Sequence, residues 1–148
     1  MRLLDCYARL STVKRSHSTA RAAVGAYLSL AGSNPDHLRD FDITIRDVQQ
    51  FAAELDEMYF LRLFSSFESC IRDYWRSGVR PTKPLTEVLI ASIASRRGVP
   101  QDVLDEVQQI RDFRNSITHD DHEPARPYSL EEASRYLNQF LSRMPRTW

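Results

Sequence analysis

Apolar residues recur at three- and four-residue spacing along nearly the whole chain, the period of an amphipathic helix. Nowhere do apolar and polar residues alternate for long, and no Asn-Gly or Asp-Gly pair marks a hairpin. With only four glycines to interrupt it, the pattern predicts an all-α fold, a compact bundle of four to five helices. A first helical region covers Met1 to Ala31, with room for a bend near Ser11, and ends at Gly32–Asp36. A second helix runs from about Thr44 to Ser77, before Gly78 and Pro81. A third opens at Pro84 and closes on Arg96, Arg97 and Gly98. A fourth opens at Pro100, and the run Val103–His122 is read on it. A polar loop from Asp120 to Tyr128, holding Pro124 and Pro127, precedes the last helix. Ser129 and Glu132 make its capping box, and Leu130, Ala133, Leu137, Phe140 and Met144 make its apolar stripe.

The second helix carries two apolar lines from Phe60 onward. One is Phe60, Phe67, Cys70 and Tyr74 with Leu63 between; the other is Leu61, Phe64, Ile71 and Trp75. A helix apolar over so much of its surface is central to a core or lies in a subunit interface. Glu68 stands inside the second line. It pairs either with Arg72 at i+4 or with a partner on another helix. No internal repeat or second domain is visible. The chain is read as one domain, residues 1–148, with the core in 44–148 and the packing of 1–43 left open.

Composition narrows the classes of function. The 148 residues carry 20 Lys+Arg against 20 Asp+Glu, a formal net charge of +0. A chain so balanced does not hold nucleic acid by bulk charge, so any RNA or DNA contact must come from a local patch. No apolar run approaches the ~20 residues of a membrane helix, and the charged N-terminus does not read as a secretory signal. Cys6 and Cys70 are too few and too far apart for a disulfide framework or a zinc knuckle, and read as buried apolar residues. The expectation is a reduced, cytoplasmic protein without a membrane partner.

The chemistry concentrates in the fourth helix. Val103, Val107, Ile110, Phe113 and Ile117 form its apolar stripe, and Arg114 falls inside that stripe. A guanidinium there cannot shed its charge, so it must snorkel, pair with a carboxylate such as Glu68, or face an anion such as phosphate. Asn115 and His119 share one flank at i,i+4, a line that Arg111 extends. On a continuous helix Arg114 and His119 stand about 140° apart. Two antiparallel copies of the helix across a two-fold axis would bring both into one cleft, which predicts a homodimer. Metal-free RNA cleavage needs a group that activates the 2′-hydroxyl, a cation for the charge developing on phosphorus, and a proton for the leaving oxygen. A histidine and an arginine supply these, and an asparagine can orient either.

Arg114-Asn115-Ser116-Ile117-Thr118-His119 resembles the signature of the HEPN superfamily: an arginine, often followed by a polar residue, with a histidine after four to six positions. Arg62-Leu63-Phe64-Ser65-Ser66-Phe67-Glu68 resembles the aromatic-acidic run on an earlier helix of that family. The similarity covers about Thr44 to Met144. It implies an all-α bundle and a metal-independent endoribonuclease acting as a homodimer, often a toxin with an antitoxin partner or an antiviral-defence effector. Carried over, Arg114 would stabilise the phosphate, His119 would act as acid or base, Asn115 would assist, and Glu68 would orient Arg114 or shape the cleft. RNA would be the substrate, leaving a 2′,3′-cyclic phosphate and a 5′-hydroxyl. No metal or cofactor is implied.

Other readings use the same residues. His119, Asp120, Asp121 and His122 have the composition of a metal cluster, or of a solvated acidic helix end. Arg72, Arg76, Arg80, Lys83, Arg96 and Arg97, with Tyr74 and Trp75 interleaved, form a surface for single-stranded RNA or a basic edge over core aromatics. The chain can also be a non-catalytic helical dimerisation or RNA-binding module with Glu68–Arg114 as an interface ion pair. A DNA-binding helix-turn-helix fits less well, because no basic recognition helix follows the Ser77–Pro84 joint.

Overall fold

The computed structural model describes residues 2–39, 41–78, 82–119 and 125–148, with His37 by its backbone alone. Among these residues the chain forms α1 (Leu3–Ser33), α2 (Asp36–Arg39), α3 (Ile45–Gly78), α4 (Thr86–Arg97), α5 (Gln101–Thr118) and α6 (Leu130–Leu141). The only β feature among them is an isolated antiparallel bridge between Arg2 and Thr147, beside which Leu3 N–H donates to the Arg146 carbonyl (3.0 Å). The all-α expectation therefore holds.

Helix α1 runs for 31 residues with no break at Ser11. Its N-terminal half sends Cys6, Leu10 and Val13 into the main core. Helix α3, of 34 residues, is the central element. Phe60, Leu63, Phe64, Phe67, Cys70, Ile71, Tyr74 and Trp75 are all buried, so both apolar lines point into the same protomer. That is what a helix contacted by α1, α4, α5 and α6 requires. Cys6 and Cys70 meet in this core, one thiol hydrogen-bonded to the other. That bond and burial push the Cys6 thiol well above its ordinary value.

The helix ends follow local chemistry. Gly98 closes α4 in the left-handed conformation (φ 61°), which its missing Cβ permits. Thr44 and Asp47 form a reciprocal capping box at the start of α3. Ser129 caps α6 by accepting from the Glu132 N–H at 3.1 Å. The Glu132 side chain does not complete the box; it takes Arg126 instead, at 2.6 Å. The stripe Leu130, Ala133, Leu137, Phe140 and Met144 is buried.

Candidate active site

Helix α5 carries Val103, Val107 and Ile110 into the core, with Phe113 and Ile117 half-buried against it. It ends at Thr118 rather than running on through His122. Hydroxyls in the last turn bond back along the helix, as Thr12 and Thr19 also do inside α1. Thr118 Oγ1 donates back to the Arg114 and Asn115 carbonyls (3.1 and 3.2 Å), and Ser116 Oγ to the Phe113 carbonyl (2.8 Å). His119 is the C-cap, extended at φ −139°, ψ 117°, with its N–H on the Asn115 carbonyl (3.0 Å). At the C-cap, His119 is no longer held about 140° from Arg114 by helical register.

Arg114 is half-buried and donates from Nη1 to Asn115 Oδ1 at 2.9 Å. Among the described residues it forms no ion pair. Glu68 is held elsewhere. Arg72 donates to its Oε1 from Nε (3.0 Å) and Nη2 (2.6 Å), and Thr86 Oγ1 donates to the same oxygen at 2.7 Å. The i+4 alternative is thus the one adopted, and Glu68–Arg114 is not a contact pair. The Arg114 charge still reaches it: burial raises the Glu68 pKa, but the Thr86 and Arg72 hydrogen bonds and the charges of Arg72 and Arg114 outweigh it, holding the carboxyl below its ordinary value. Arg111 does not extend the Asn115 line toward a ligand; it pairs with Glu87 on α4 (3.0 Å) and with Asp112.

The fold thus brings Arg114, Asn115 and His119 to one helix end, with Glu68 nearby and engaged in joining α3 to α4. The metal reading rests on Asp120, Asp121 and His122, which lie outside the described residues; among the described ones no three acidic, histidine or cysteine side chains gather as a metal site. Of the basic run, Arg80 also lies outside them. Tyr74 and Trp75 are buried, Trp75 Nε1 donates to Thr82 Oγ1 (3.0 Å), and Arg96 lies over its ring. Those aromatics are core, not a platform for stacking bases.

Two clusters escape sequence reasoning because their partners sit on different elements. In the first, His17 Nε2 lies 2.7 Å from Asp56 Oδ1, and Arg21 Nη1 donates to both Asp56 oxygens (3.0 and 2.8 Å). The i,i+4 spacing of His17 and Arg21 was the one available signal. This cluster borders a cavity of about 260 Å³ that Phe60, Phe113 and Tyr128 also line. In the second, Tyr128 Oη donates to Glu106 Oε2 (2.7 Å), and Arg126 covers the Tyr128 ring. Burial and the Glu106 carboxylate push that phenol well above its ordinary value.

Comparison with known proteins returns no match, whether to family models, curated proteins or solved structures. No helix among the described residues is long and apolar enough to cross a membrane.

Proposed function

We propose that this chain is a metal-independent endoribonuclease of HEPN type, acting as a homodimer. In this reading Arg114 holds the scissile phosphate and stabilises the charge that develops on it. The 2′-oxygen attacks phosphorus, its proton passes to a base, and the 5′-oxygen leaves with a proton. His119 serves one of those two proton transfers. Asn115 orients the Arg114 guanidinium through the bond it already makes. Glu68 is a positioning residue, acting on Arg114 through charge rather than contact. The products are a 2′,3′-cyclic phosphate and a 5′-hydroxyl. A toxin or antiviral-defence effector is the role such chemistry would serve, with an antitoxin or regulatory protein as partner.

One observation carries the reading. Arg114 is half-buried yet pairs with no carboxylate among the described residues, whereas Arg72, Arg111 and Arg126 are each tied to one or more. A guanidinium without a carboxylate partner among the described residues, at the helix end that also carries His119, suits an anionic substrate. The second reading, a non-catalytic dimerisation or RNA-binding module, is favoured by the commitment of Glu68 to Arg72 and Thr86.

RNA cleavage in EDTA separates the two, with wild type and His119→Ala matched for fold and oligomeric state. The nuclease reading expects cyclic-phosphate ends from the wild type and a loss of about 10²–10⁴-fold in the variant. Equal cleavage by both would remove His119 from the site, and no cleavage of any RNA by the folded wild type would favour the module.

A further inference from the structure

One stripe of α1 runs Cys6, Leu10 and Val13, then His17 and Arg21, then Val24 and Ala31. The first three lie in the main core and the last two in the smaller cluster. Apolar residues at the two middle positions would continue the stripe. The chain places a histidine and an arginine there instead, and both meet Asp56 on α3. His17 keeps only 13% of its side chain exposed. A sequence that breaks its own apolar pattern at one place points to a use for that place.

The cavity beside this break has a volume of about 260 Å³. An apolar cavity of about 150 Å³ already holds a benzene ring, so there is room for a ring and a short arm. Phe60, Phe113 and Tyr128 line it as one connected aromatic wall: the first two rings meet edge-on at 4.7 Å between centroids, and Phe113 stands 6.3 Å from Tyr128. Three carboxylates line it as well. Asp56 is taken by His17 and Arg21, and Glu131 by Lys14 at 2.6 Å. Glu57 pairs with no cation among the described residues. Ring faces carry negative charge and attract cations, and a free carboxylate accepts a charge-assisted hydrogen bond from one. An anion finds no such welcome, because the lining cations Lys14 and Arg21 already hold carboxylates.

We propose that this cavity binds a small primary ammonium ion with a flat apolar body, the body against Phe60, Phe113 and Tyr128 and the ammonium on Glu57. The paired His17, Asp56 and Arg21 form the polar part of the wall and leave Glu57 as the carboxylate open to the ligand. The cavity lining includes none of Arg114, Asn115 and His119, and the proposal does not depend on RNA cleavage.

Amide NMR titration of the full chain tests it with three probes. Benzylammonium has both the ring and the charge, benzyl alcohol the ring alone, and methylammonium the charge alone. Benzylammonium is expected to give saturable shifts in residues 14–21, 56–60 and 128–131, with a Kd of about 1 mM or tighter. Each of the other two should bind at least about tenfold more weakly, since each lacks one of the two contacts. Glu57→Gln, at an exposed position that the fold does not depend on, should bring benzylammonium and benzyl alcohol to within about twofold of each other. Equal binding of benzylammonium and either other probe by the wild type would overturn the proposal. So would a Glu57→Gln variant that keeps the preference, shifts confined to other parts of the chain, or no saturation by about 20 mM benzylammonium. RNA cleavage by the wild type and Glu57→Gln reads the nuclease separately, so either proposal can fail without the other.

Discussion

Arg72 and Arg114 present the same guanidinium in opposite circumstances. Arg72 donates to Glu68, to the Pro84 carbonyl (3.1 Å) and to Thr86 Oγ1 (2.9 Å), so it ties α3 to the segment that starts α4. Removing it strands a partly buried carboxylate, and Arg72→Ala is expected to cost about 1–3 kcal/mol in urea unfolding. Among the described residues Arg114 has one hydrogen-bond partner to lose, and it is neutral. Arg114→Ala should change stability by less than about 0.5 kcal/mol, yet lower RNA cleavage about 10²–10³-fold. If Arg114→Ala instead destabilises as much as Arg72→Ala, Arg114 is structural. The Glu68 contribution has a definite pH sense. Its folded pKa is depressed, so the stabilisation is present above the unfolded value of about 4.3 and is lost as pH falls through the folded one. The gap in melting temperature between wild type and Glu68→Gln should shrink on titration from pH 6 to pH 3, and a constant gap would contradict that linkage. The Glu68–Arg72 pair was legible because i,i+4 spacing on a helix is a local fact. Thr86 was not, because it reaches Glu68 from another element.

At the level of elements, boundaries set by backbone chemistry were the readable ones. Gly98 at a left-handed C-cap and Ser129 at an N-cap each act through their own residue type, so their positions follow from the sequence. The end of α5 was legible only to within a few residues, because no glycine or proline stands at it: the loop was read from Asp120 and the helical run to His122, whereas the helix ends at Thr118. That small shift matters for the candidate site, since it frees His119 from the helical register in which it had been placed opposite Arg114. The Ser129 cap offers a direct check. Ser129→Ala removes the 3.1 Å bond to the Glu132 N–H and should cost about 1 kcal/mol in chemical denaturation. Glu132→Gln should cost less, because Glu132 spends its side chain on exposed Arg126 rather than on the cap. A larger loss from Glu132→Gln would mean that the Arg126–Tyr128–Glu106 cluster, not the cap, holds α6 in place.

Across the whole molecule, stability is distributed unevenly along α1 and α3. Their core-facing halves are locked by Phe64, Phe67 and Phe140, whose rings pack at 5.9 and 5.5 Å between centroids. Their distal halves meet in the smaller cluster of Ala31, Val48 and, from α2, Leu38. Both halves of each helix have continuous backbone bonding, so helix propensity alone predicts one uniform rod. Tertiary burial is what distinguishes them, and it was invisible in the sequence because the apolar periodicity of residues 1–43 does not say which neighbours cover it. Local opening free energy follows buried apolar contact rather than helicity. Amide hydrogen exchange should therefore show α1 beyond Ala22 and α3 before Leu55 exchanging through a low-energy opening. Phe60 to Trp75 should exchange only through global unfolding. Uniform protection would mean that the small cluster is sufficient by itself.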